Sequence, residues 1–85
     1  MKYLYFSAPW CGPCRMFGPI MDKVGTQVTV EKINVDENQE MSSKYSVRSI
    51  PTTILVNESG EEMFRQVGPS NEQVLVAAYK EHTNV

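Results

Sequence analysis

The only two cysteines of this chain stand at Cys11 and Cys14, between an apolar run and a helical pattern. Two thiols at i and i+3 on the first turn of a helix can close a disulfide without moving the backbone far. The apolar run before them, Tyr3-Leu4-Tyr5-Phe6, lacks strict alternation, as in a strand buried on both faces. Ser7-Ala8-Pro9 breaks the run and delivers Trp10-Cys11-Gly12-Pro13-Cys14 to the end of that strand. Pro13 suits the first turn of a helix, where its missing N–H costs nothing. Met16, Phe17, Ile20, Met21 and Val24 then mark one helix face. Pro19 is expected to kink this helix and Gly25 to stop it.

The remaining elements follow in order. Residues 28–35 are rich in β-branched side chains and read as a second strand, so strand, helix and strand make a right-handed βαβ unit. A short helix is expected from Asn38 to Tyr45, with Met41 and Tyr45 on one face. Thr52–Val56 and Met63–Val67 form a hairpin around the turn at Asn57-Glu58-Ser59-Gly60. Ser70 to Gln73 reads as a capping box, with Ser70 as N-cap. A last helix then buries Val74, Leu75, Ala78 and Tyr79, and the tail frays from His82. The expected fold class is α/β, in the order β-α-β-α-β-β-α. Helices should cover both faces of a four-stranded mixed sheet, with residues 1–85 as one domain.

Composition narrows the partners. Eight basic residues against ten acidic ones give a net charge of −2, without a basic stripe, so no direct nucleic-acid contact is expected. The apolar start spans only residues 3–6, against about 7–15 for a secretory signal core. No run approaches the roughly 20 residues of a membrane span. The expected setting is a reducing cytoplasm with no membrane contact, where a paired CxxC is catalytic or metal-binding rather than structural. Structural zinc takes four ligands. Two cysteines and one distant His82 supply too few, so no metal and no bound cofactor are expected beyond a Cys11–Cys14 disulfide. His82 reads as a solvated residue that suits a helix C-terminus, and the methionines read as core filling.

The attacking group in thiol–disulfide exchange is a thiolate. Cys11, at the helix N-terminus, is the expected nucleophile and the more exposed of the two. Cys14, one turn in, is expected to attack Cys11 and release the reduced substrate.

The segment Trp10-Cys11-Gly12-Pro13-Cys14 resembles the active-site motif of the thioredoxin family residue for residue. Pro19, Lys32-Ile33-Asn34-Val35-Asp36, Ile50-Pro51-Thr52 and Val67-Gly68 resemble further family segments, in the family's order. The resemblance covers nearly the whole chain and implies a minimal thioredoxin fold. It implies a monomeric dithiol oxidoreductase that reduces protein disulfides, recharged by a thioredoxin reductase or a glutathione-type electron source. It also implies a cis Ile50–Pro51 bond, with Pro51 against the disulfide and the Ile50 backbone open to a substrate strand. Trp10 would flank the same groove, and Gly68 would leave room in it. Gly12, Pro13, Tyr5 and Lys32 are the expected tuning residues, and Pro13 accompanies reducing behaviour in the family.

Three departures stand out. The strand and helix that precede this region in full-length thioredoxins are not in this sequence, which leaves the edge of residues 28–35 as a pairing surface. Tyr5 stands where the family places a buried Asp, and Ser7 where it places a Trp. A free phenol has a pKa of about 10 and is a poor base at neutral pH, so Cys14 is expected to lose its proton through water. A glutaredoxin fits less well, because Gly12-Pro13 stands between the cysteines and Gly68 is single. Two rivals stay open: an electron donor dedicated to one enzyme such as a ribonucleotide reductase, and a binding module or enzyme subunit whose redox activity is incidental.

Overall fold

Strand β1, Lys2–Ser7, runs through the middle of the protein with residues 3–6 buried. The computed structural model describes residues 1–83. β1 pairs in parallel with β2 (Val30–Asn34) and antiparallel with β3 (Thr52–Val56). β3 pairs antiparallel with β4 (Glu62–Val67), and the sheet order is β2-β1-β3-β4. Period-2 alternation splits the two central strands between two cores. Tyr3, Tyr5 and Leu55 face one core with Phe17, Met21, Val24, Leu75 and Val76. Leu4, Phe6, Ile54 and Val56 face the other with Ile33 and Tyr45. Helices α1 (Gly12–Val24) and α3 (Glu72–Thr83) therefore cover one face, and α2 (Gln39–Lys44) lies toward the other. The expected element order and mixed sheet are present.

Several details differ from expectation for local reasons. The buried stripe of α1 is Cys14, Phe17, Met21 and Val24, while Met16 is 82% exposed. Met16 lies a helical step of about 100° from Phe17, on the outer edge of that stripe. Pro19 removes one N–H from the helical ladder, yet α1 continues through it as one element. Gly25 follows the last helical residue but stays right-handed at φ −64°, so the stop does not use glycine's left-handed freedom. β2 is shorter than expected because Val28 is held by the end of α1, its N–H bonding the Val24 carbonyl at 2.9 Å. Its edge is exposed at Glu31 and Lys32, charges that discourage edge pairing.

α2 is one residue shorter at each end than expected and has no fully buried residue. Its serines are weak helix formers, and Tyr45 lies just past its end, buried and bonded to the Gly60 carbonyl at 2.7 Å. α3 is capped by Asn71 rather than Ser70, since the Asn71 Oδ1 accepts the Val74 N–H at 2.9 Å. That one-residue shift buries Val76 and leaves Val74 43% exposed. His82 is helical, with Nδ1 2.7 Å from the Ala78 carbonyl oxygen, so the expected fraying does not begin there. Residues 84–85 of the expected tail lie outside the described residues.

Candidate active site

Both cysteines sit where β1 hands over to α1. Cys11 is the N-cap of α1, in extended conformation at φ −83° and ψ 111°. Its Sγ accepts the backbone N–H of Cys14 at 3.2 Å, as a capping side chain does. The Cys11 N–H in turn bonds the Ala8 carbonyl at 3.2 Å, and the Arg15 Nε donates to the Pro9 carbonyl at 3.0 Å. The loop entering the helix is thereby tied down on both sides. The cysteines are joined as a disulfide, with Cα atoms 5.2 Å apart. Pro13 occupies the first turn, where no N–H is needed. Gly12 is exposed, and a Cβ there would meet no heavy atom within 4 Å, so no contact explains a glycine at this position.

Contrary to the expectation that Cys11 is the more exposed thiol, both cysteines are 5% exposed. Ala8, Val35 and Ile50 pack around the pair and bury both sulfur-bearing side chains. What distinguishes the two is electrostatic. Cys11 Sγ faces the free N–H end of the helix, which favours negative charge there.

The Ile50–Pro51 bond is cis. The Ile50 carbonyl oxygen lies 3.8 Å from Cys11 Sγ. The Pro51 carbonyl accepts the Gly68 N–H at 2.8 Å. Gly68 adopts φ +85°, and a Cβ there would meet nothing within 4 Å. Glycine is therefore required by backbone conformation rather than by space within the chain. Trp10 is 65% exposed, and its indole N–H donates to Asp36 Oδ2 at 2.8 Å. Trp10 and Ile50 line one groove of about 600 Å³ that reaches α2.

A second crevice, about 290 Å³, opens on the other side and reaches Cys14. Tyr5, Ser7, Arg15, Lys32 and Asn34 are among its walls, with no carboxylate among the described residues. Tyr5 is 3% exposed, its ring edge-on to Phe17 at 5.7 Å and its hydroxyl donating to the Cys14 carbonyl at 3.3 Å. Burial pushes the Tyr5 phenol above its usual pKa, against smaller downward effects from Ser7 and Lys32. Lys32 pairs with Asp22 at 2.7 Å, and both side chains are mostly exposed, so the pair contributes little to stability.

The structure thus gathers Trp10, Cys11 and Ile50 on one side of the disulfide, and Tyr5 and Lys32 on the other. Asp36, Arg15 and Arg48 were not singled out from the sequence. Asp36 belongs to the segment that carried the resemblance, but spacing alone does not pair it with Trp10. Among the described residues, no group of three or more His, Cys, Asp or Glu is placed to hold a metal. No helix among them is long and apolar enough to cross a membrane.

Comparison with known proteins agrees on one family. Residues 2–81 match the family model described as Thioredoxin. The chain is 42% identical over 81 residues to the thioredoxin of Bacillus subtilis (strain 168), covering 91% of this chain and 77% of that protein. It is 38% identical over 81 residues to Thioredoxin 1 of Nostoc sp. (strain PCC 7120), covering 91% of this chain and 75% of that protein. Among solved structures, a mutant thioredoxin from Halobacterium salinarum NRC-1 superposes with a TM-score of 0.89 at 37% identity, covering 99% of this chain and 75% of that one.

Proposed function

Given that this chain belongs to the thioredoxin family and is a dithiol–disulfide oxidoreductase, we propose that Cys11 attacks protein disulfides and Cys14 resolves the product. The supporting observation is the N-cap position of Cys11, with its Sγ accepting the Cys14 N–H. In the reduced protein the Cys11 thiolate attacks one sulfur of a substrate disulfide. A Cys11–substrate disulfide forms, and the other substrate sulfur leaves as a thiolate. Cys14 then loses its proton and attacks Cys11 Sγ. The second substrate thiolate leaves, the Cys11–Cys14 disulfide closes, and two electrons have passed to the substrate.

Trp10, Ile50, Pro51 and Gly68 serve as the substrate-facing surface in this reading, with an extended segment laid along the Ile50 backbone. Electrons return from a reductase, for which a thioredoxin reductase or a glutathione-type donor is the expected class. The setting is a reducing cytoplasm, which suits a reversible CxxC pair, and the working form is a monomer.

The crevice beside Tyr5 serves the second step. The phenol stays protonated at neutral pH and bonds a carbonyl, so it is no base for Cys14. Water in the crevice takes the proton instead. Tyr5→Asp is therefore expected to speed release of the mixed disulfide by about a hundredfold at neutral pH, the lower end of general-base effects. Tyr5→Phe keeps the ring on Phe17 and should change the release rate by less than about twofold. Stopped-flow release between about pH 6 and 9, bracketing a free thiol, measures this. An unchanged rate in folded Tyr5→Asp protein defeats the water-mediated account.

A further inference from the structure

The groove beside Cys11 carries one charged wall residue, Arg48, and no Asp or Glu. Its apolar surface comes from Trp10, Val35, Val47 and Ile50. Its remaining walls are uncharged hydroxyls and an amide, from Ser42, Ser43, Ser49 and Gln39. Arg48 is exposed and takes part in no ion pair among the described residues. The nearby carboxylate of Asp36 is engaged by the Trp10 indole and does not line the groove. Ile50 joins this groove to the sulfur, since its carbonyl lies 3.8 Å from Cys11 Sγ. Although the whole chain is net negative at −2, the one charged residue lining this groove among the described residues is therefore a cation.

We propose that this groove selects substrate segments that carry an acidic side chain close in sequence to the disulfide cysteine, with Arg48 as the specificity-determining residue. The inference rests on the reading of Cys11 as the attacking thiol. Arg48 lines the same groove as Ile50, whose carbonyl oxygen reaches Cys11 Sγ. A carboxylate on a segment lying in the groove meets a guanidinium that no carboxylate pairs among the described residues, and can be held in a bidentate pair. The apolar walls receive the neighbouring side chain. An exposed pair of this kind acts mainly on encounter and register, and salt weakens it.

The test uses three disulfide-linked peptides identical except for Glu, Gln or Lys placed two residues before and two after the cysteine. With the full chain at low salt, kcat/KM is expected to rank Glu over Gln over Lys, with about threefold between neighbours, the scale of an exposed charge pair. Arg48→Glu is expected to reverse the ranking and Arg48→Gln to level it. Near 1 M salt, where the Debye length is about 3 Å, the wild-type differences should collapse. Equal wild-type rates on all three peptides, or an unchanged ranking in Arg48→Glu, would overturn the acidic preference while leaving the redox reading intact. Failure of the wild-type protein to reduce any peptide would overturn both.

Discussion

Cys11→Ser is expected to abolish disulfide reduction, a loss of about ten-thousand-fold or more, the scale seen when an enzyme's nucleophile is removed. A serine hydroxyl at the helix N-terminus still caps α1, so the fold is expected to survive. Cys14→Ser should behave differently. Its Cys11 thiolate still attacks, but no second thiol follows, so the substrate stays attached through one disulfide. Mass spectrometry of the Cys14→Ser product should find one substrate equivalent on Cys11. No turnover should be completed. Retained turnover in Cys11→Ser, or capture on Cys14 in that variant at the wild-type rate, would contradict the assigned order of attack. A Cys11→Ser/Cys14→Ser protein with full biological activity would favour the binding-module alternative.

The second large effect is on stability at alkaline pH. Tyr3 is fully buried in the core that joins β1 to α3, and its hydroxyl donates to the Leu75 carbonyl at 2.5 Å. Burial raises its pKa from 10.0 to about 12. A raised folded-state pKa stabilises fully below the unfolded value, and that stability is lost as pH climbs through the folded value. The loss therefore begins near pH 10 and is complete above about 12. It amounts to about 2–3 kcal/mol, at about 1.4 kcal/mol for each pH unit between the two values. Tyr5, also raised by burial, adds to the same slope. Urea midpoints should be nearly level from neutral pH to about 9 and then fall, at constant m-value. Tyr3→Phe should start about 1 kcal/mol lower through the lost hydrogen bond and decline less steeply above about pH 10. Parallel curves for the two proteins would contradict the assignment.

The parts of the fold legible in the sequence were those with strong local signals. Tyr3–Phe6 lacks alternation because β1 lies between two cores, and the structure splits its side chains between them. Trp10–Cys14 marked the strand-to-helix junction. What was not legible depends on contacts across the chain or on single-residue phase. Asn71 outcompetes Ser70 as a cap, and that one-residue shift exchanges Val74 for Val76 in the core. Met16 fits a helical stripe by spacing alone, but the face is decided by where the sheet lies. The equal burial of Cys11 and Cys14 arises because Ile50, distant in sequence, folds over Cys11. Arg48 gave no local signal, since its place in the groove comes from the turn that presents Ile50.

On this reading Cys11 and Cys14 form a reversible two-electron reductant. A redox titration of the full chain against dithiothreitol or glutathione buffers, followed by mass after thiol alkylation, is the decisive test. Thioredoxins lie near about −270 mV, and on family membership this pair should show a single reversible two-electron transition more negative than about −230 mV. A midpoint near about −180 mV or higher, the range of oxidants and isomerases, would contradict the account.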